Sequence, residues 1–334
     1  MQMGNEFDWR DWRAQVMHSP TRPEGVPGIC ESDASSLERV MARYPFRATP
    51  YYLSLIDWED PADPVRLQCL PDARELDWTA GKTPEGWGPD PFDEAHDMPA
   101  PGLVHRFPDR ALILAATECA VNCRHCTRKN TLSAIGPGPG RERFEAALAY
   151  IAAHPGIREV IISGGDPLLL EDSVLDRLLG SLTAIGHVEV LRLGTRVPVV
   201  LPMRLDAELC DMLATHRPLW VNTQFNHPVE VTPDAVQACE MLLQCGIPVS
   251  NQCVLLRGVN DSAETMRKLC NALQRNMIRP YYVLQCDPVA GTEHFRTELS
   301  AGGDMAETLR RQVGGLSLPR FVADVPGEAG KVPL

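Results

Sequence analysis

The stretch 118–130, ECAVNCRHCTRKN, sets Cys119, Cys123 and Cys126 at the spacing C-x3-C-x2-C. Nothing at the N-terminus reads as a secretory signal, so tightly spaced cysteines are metal ligands sooner than disulfide halves. A zinc knuckle is one reading, with His125 as fourth ligand. That residue is wedged between Cys123 and Cys126, which makes simultaneous tetrahedral ligation awkward, and structural zinc sites usually join two well-separated ligand pairs. A [4Fe–4S] cluster closed by protein takes four thiolates. Three thiolates leave one iron open to a ligand from outside the chain.

Those thiols need a frame. From residue 105 on, β-branched apolar runs recur at 111–117, 158–164, 188–194, 219–225, 247–253 and 279–286. Between them lie stretches of helical spacing at 141–153, 175–185, 207–215, 233–245 and 262–276. Near-continuous apolar strands alternating with helices predict a parallel sheet with right-handed crossovers. Periodicity leaves two architectures open, a doubly wound sheet and a curved partial barrel. The cysteines directly follow the first strand, in the loop where such folds place their chemistry. Residues 1–104 differ: they are rich in Trp and Pro, and only short helices such as 37–44 fit between the prolines. They are read as a helical arm laid on a main domain of residues 105–334.

Composition narrows the function. At 334 residues, with 44% hydrophobic and 23% charged residues, the chain is a globular protein with a sizeable core. A net charge of −12 argues against a nucleic-acid partner. No run approaches the roughly 20 apolar residues of a membrane span, so the expected place is the cytoplasm. The cysteines outside the triplet lie scattered in apolar segments, as buried free thiols do.

A C-x3-C-x2-C loop at a strand end ahead of βα repeats resembles the radical S-adenosylmethionine (SAM) superfamily. The resemblance implies that SAM chelates the open iron and is split by one electron to a 5′-deoxyadenosyl radical. The second strand ends in SGGDP, and Ser163, Gly164, Gly165 and Asp166 resemble the segment that receives the methionine amino group, although alone they are only a turn. Further segments, in order along the chain, are DWRDWRAQV, TPYYLSLID, PGLVHRFPDRALIL, CRHCTRK, TRVPVVLP, NTQFNHP, VLLRGVND, RPYYVLQCD and HFRT. Together they resemble the lysine 2,3-aminomutase family over nearly the whole chain. The fold so implied is a partial (β/α)6 radical-SAM barrel carrying the N-terminal arm.

That resemblance implies three cofactors: a [4Fe–4S] cluster on Cys119, Cys123 and Cys126, SAM, and pyridoxal 5′-phosphate (PLP). Lys331, in DVPGEAGKVPL, matches the PLP lysine, with Gly327 and Gly330 giving reach; Glu328 and Ala329 depart from the family's denser glycine run. Arg106 and Arg110 match the PLP region, and His125 and Gln252 match positions near SAM. Arg128 matches the residue for the substrate carboxylate, and Asp287 and Asp324 match the acid pair that grips a side-chain cation. Gln224 stands where relatives commonly carry His.

The expected reaction moves the α-amino group of a basic L-amino acid, lysine first and arginine second, to the β carbon. Two alternatives stand beside it: a branch acting on a lysine destined for elongation factor P, and a PLP-free radical-SAM reaction. The expected partners are the small basic amino acid and an electron donor such as flavodoxin or ferredoxin, with a homo-oligomer left open. The chain also stops short of the family's C-terminal zinc and subunit-contact segment, so neither is carried over.

Overall fold

The computed structural model describes residues 7–22, 26, 31–77, 88–132, 141–325, 328 and 330–334. Cys30, and Gly327 and Ala329 of the segment before Lys331, lie outside the described residues. Strand β1 (Leu103–Phe107) forms a hairpin with β2 (Arg110–Ala116). Parallel strands then follow in strict sequence: β3 (Glu159–Gly164), β4 (Val190–Gly194), β5 (Leu219–Thr223), β6 (Val249–Leu255), β7 (Arg279–Gln285) and β8 (Arg320–Asp324). The last strand, β9 (Lys331–Pro333), runs antiparallel to β8. The sheet order β1 to β9 never reverses, so it has no switch point of the doubly wound kind, and its ends are not paired to each other. This is a partial barrel.

Six crossovers return the chain through α5 (Arg141–Ala153), α6 (Asp172–Thr183), α8 (Ala207–Ala214), α9 (Pro233–Gln244), α10 (Ala263–Arg275) and α11 (Leu299–Arg310); α7 (Val197–Val200) is a single turn before α8. Their starts are written locally. Asp206, Thr232 and Ser262 each accept a backbone N–H of the first turn of α8, α9 and α10. In α10 the buried residues Met266, Leu269, Cys270 and Leu273 fall on one face, against the sheet. The structure adds a seventh parallel strand, β8, to the six that periodicity predicts. Only its middle residues Phe321, Val322 and Ala323 are buried, too short a run to stand out.

The arm comprises α1 (Trp12–Met17), α2 (Glu31–Arg43), α3 (Pro50–Leu53) and α4 (Pro64–Cys69). Tyr51, Tyr52, Leu53, Val65 and Cys69 share one buried apolar core with the barrel strands and helices. Thr49 and Asp63 cap α3 and α4 just before prolines at the first helical position. Among the described residues no helix is long and apolar enough to cross a membrane.

Along each strand, residues alternate between the helix layer and the lumen. In β3, Val160 and Ile162 are buried under helices while Ile161 and Ser163 look inward; in β4, Arg192 and Gly194 look inward. The lumen therefore carries polar side chains at its C-terminal half, and that is where the strands deliver the site.

Candidate active site

The cysteine loop leaves the end of β2 and is clamped by the turn after β3. Gly165 donates its N–H to the Ala116 carbonyl at 2.6 Å, and Asp166 donates to the Glu118 carbonyl at 2.8 Å. A Cβ on Gly165 would stand 2.3 Å from the Glu118 oxygen, and one on Gly164 (φ +115°) 2.4 Å from the Ala116 oxygen. The close approach that these glycines permit is thus to the backbone leading into Cys119. Asp166 is buried and its carboxylate is fully engaged. It accepts from Thr195 Oγ1 at 2.7 Å, the Arg196 N–H at 2.8 Å and the Leu168 N–H at 3.1 Å. Burial nonetheless pushes its pKa up to about 6. The SGGD segment therefore ties the turns after β2, β3 and β4 into one piece.

Cys119, Cys123 and Cys126 line a cavity of about 930 Å3 between this loop and the arm. Burial raises the Cys119 thiol well above its ordinary pKa, and Cys126, Asp166 and Cys123 push it further. Cys126 is raised by burial and then by Cys123. The thiols are close enough to repel one another as thiolates. A positively charged metal centre removes that repulsion, since bound metal deprotonates thiols outright. Among the described residues no three His, Cys, Asp or Glu side chains converge on a point suited to a single metal ion. Three thiols on one short loop, lining one cavity, are a donor set of the kind an iron–sulfur cluster takes. The donor set fits three corners of a cubane.

His125 is buried behind the loop. Its Nε2 lies 3.0 Å from Gln224 Nε2 and 3.4 Å from Asn226 Nδ2. Amide NH2 groups donate, so the ring nitrogen accepts and the proton sits on Nδ1, which has no partner among the described residues. Burial, then Arg196 and Lys129, hold the imidazole well below its usual pKa. Gln224 thus engages His125 directly.

A second cavity, of about 350 Å3, occupies the barrel lumen. It brings together Arg106, Arg110, Ser163, Gln252, Asp287, Asp324 and Lys331, all singled out from sequence, and Arg128 lines both cavities. Lys331 is no loose tail: β9 pairs it opposite Asp324 across the sheet, and its ammonium contacts the Asp324 carboxylate. Asp287, just past β7, has its pKa pushed up to about 7 by burial and then by Asp324. Arg106 donates to the Val325 carbonyl at 3.3 Å, and Arg110 lies 4.1 Å over the Phe107 ring. A lysine amine and two guanidiniums in a cavity of this size fit an aldehyde cofactor with a phosphate.

Three lumen or loop residues are absent from the sequence reading. Glu94 holds Arg128 in a bidentate pair, Oε2 to Nε at 2.9 Å and Oε1 to Nη2 at 2.5 Å. Burial works against the Arg128 charge, yet Glu94 keeps its pKa above the usual value. Arg192 looks into the lumen from β4 and pairs with Glu159. Arg196 follows β4 and touches Cys123. Glu94 sits in a Pro-rich stretch without periodicity, so sequence carries no signal for it. Arg192 interrupts an apolar strand, which is a usable signal once a polar lumen is suspected, whereas Arg196 lies in the turn after it.

The fold and the three-thiol cavity define a class, and residues 113–270 match the model of the radical SAM superfamily. The chain is 43% identical to L-lysine 2,3-aminomutase of Clostridium subterminale, over 99% of this chain and 79% of that one. It is 41% identical to L-lysine 2,3-aminomutase of Bacillus subtilis (98% and 69% covered), and 36% identical to glutamate 2,3-aminomutase of Clostridioides difficile (99% and 78%). The chain belongs to the lysine 2,3-aminomutase family of radical SAM enzymes. It is an isomerase, a radical SAM aminomutase acting on an amino acid, and its family works with a [4Fe–4S] cluster, SAM and PLP.

Proposed function

We propose that this enzyme moves the α-amino group of a basic L-amino acid to the β carbon, with lysine preferred over arginine. One observation carries the reading: one lumen cavity is lined by Arg128, by the half-buried acids Asp287 and Asp324, and by Lys331. A guanidinium suits an α-carboxylate, and two carboxylates suit a side-chain cation. Burial, and then Asp324, raise the pKa of Asp287, so a nearby cation favours its ionised form. Lys331 now supplies that cation to Asp324. Once its amine is engaged by a cofactor, the acid pair is free for the substrate. A glutamate side chain would meet two carboxylates there, which disfavours it.

In this reading Cys119, Cys123 and Cys126 would hold the cluster, Lys331 would hold PLP, and Arg106 and Arg110 would serve the PLP region. When bound, cluster and SAM supply a carbon-centred radical, and PLP supplies the carbon that carries the migrating nitrogen. The residues of the chain bind, orient and shield. Arg128 fixes the carboxylate end of the substrate, Asp287 and Asp324 fix the far cation, and both glycines of SGGD keep the cysteine loop against the lumen. Ser163 and Gln252, which line the lumen cavity, would contact SAM, whereas His125, buried behind the cysteine loop, lines neither cavity. The reducing electron comes from a small carrier such as flavodoxin or ferredoxin, in the cytoplasm.

A substrate panel tests the assignment. Anaerobic enzyme given SAM, PLP and reductant is offered lysine, arginine or glutamate at equal concentration. Lysine turns over fastest and glutamate slowest; equal turnover of glutamate and lysine overturns the assignment.

A further inference from the structure

Arg196 is buried in the turn after β4, 7% exposed, in a place where an unpaired charge would be costly. Its Nη1 donates to Cys123 Sγ at 2.8 Å. Its Nη2 faces Glu230 Oε1 at 2.7 Å, Gln68 Oε1 at 2.7 Å and the Tyr52 hydroxyl at 2.8 Å. Tyr52 in turn donates to Glu230 Oε1 at 2.6 Å. The guanidinium is therefore fixed from three directions: by α3 and α4 of the arm, by the turn after β5, and by its own backbone N–H on Asp166. Such a fork leaves no freedom to swing away from the sulfur.

What a fixed cation does at that sulfur follows from electrostatics. Reduction adds one electron to a cluster bound there. A positive charge in contact with a ligating sulfur stabilises the added electron, and hydrogen bonds to cluster sulfurs raise the potential in the same sense. Glu230 acts oppositely, but it stands on the far side of the guanidinium. In a dry interior the nearer charge dominates.

We propose that Arg196 tunes the reduction potential of the cluster through its contact with Cys123, and that Glu230 trims this effect from behind. Arg196 is a positioning and tuning residue; it needs the three-cysteine cluster and nothing of the substrate assignment.

The test is a redox titration of the reconstituted holoenzyme, without SAM or amino acid, following the reduced cluster by electron paramagnetic resonance. Arg196→Gln lowers the midpoint by at least a tenfold drop in the reduced-to-oxidised ratio at fixed poise, about 59 mV for one electron. Arg196→Lys lowers it less, since the charge remains without the planar fork. Glu230→Gln raises it. If Arg196→Gln does not fold, the opposite signs of the Lys and Glu230 variants decide. Iron and sulfide content equal to the parent's, with midpoints unchanged or moving the same way in those two variants, overturns the proposal.

Discussion

The cysteine loop carries all three thiols in one short turn after β2, whereas the amino-acid end of the site draws on residues from Glu94 to Lys331. Backbone contacts fix the first: Gly165 and Asp166 hold the loop by hydrogen bonds to Ala116 and Glu118. Sheet curvature fixes the second, because Asp287, Asp324 and Lys331 meet only when β7, β8 and β9 lie side by side. Their electrostatics differ as well. The loop gathers like groups that repel until a metal centre arrives. The lumen gathers opposite charges, Arg128 with Glu94 and Lys331 with Asp324. One end is built to generate a reactive species and, on the proposed assignment, the other to hold a zwitterion with an extra charge.

That contrast predicts separable losses. Replacing Cys119, Cys123 or Cys126 by Ala removes the cluster and reduces both 5′-deoxyadenosine formation and amino-group migration to background, checked by iron content and product analysis. Lys331→Ala abolishes migration and the visible absorbance of lysine-bound pyridoxal, but it leaves reductive SAM cleavage in place. Loss of SAM cleavage in that variant would break the division between the two ends.

Smaller effects sharpen it. Asp287→Asn or Asp324→Asn removes one charged contact, about 1.5–3 kcal/mol, or roughly 10- to 150-fold in KM for lysine. Cluster assembly in those variants matches the parent. In the parent, kcat/KM for lysine climbs as pH rises through about 7, because only ionised Asp287 attracts the side-chain cation. Asp287→Asn flattens that limb. The smallest effect is on stability. Asp287 binds its proton more tightly folded than unfolded, so between about pH 4 and 7 the native state holds more protons. Its contribution to cofactor-free stability therefore falls as pH rises across that window, and denaturant midpoints of Asp287→Asn lack this slope.

Chemistry set by local spacing was legible in the sequence. The cysteine triplet, the turn after β3 and the six βα units all follow from residues close in the chain. Sequence also pointed to Lys331, Asp287 and Asp324, but only through resemblance of their flanking segments. What escaped depends on three-dimensional register. Arg192 reads as a flaw in an apolar strand until the lumen face is known. Glu94 has no periodic context. Helix α11 contains Gly302 and Gly303, which weaken a helical pattern. Packing explains the first, since a Cβ on Gly302 would come within 2.6 Å of Leu334 Cδ1. Periodicity left an open sheet and a barrel both standing; resemblance pointed to the barrel, and the strand order shows it.

The most direct test of the account is to incubate the reduced holoenzyme with SAM, PLP and isotopically labelled L-lysine, then analyse the amino acid. The account predicts an isomer of unchanged mass with its amino group on the β carbon, formed by the parent and not by Lys331→Ala. SAM split to 5′-deoxyadenosine while lysine and arginine both come back unaltered would contradict it.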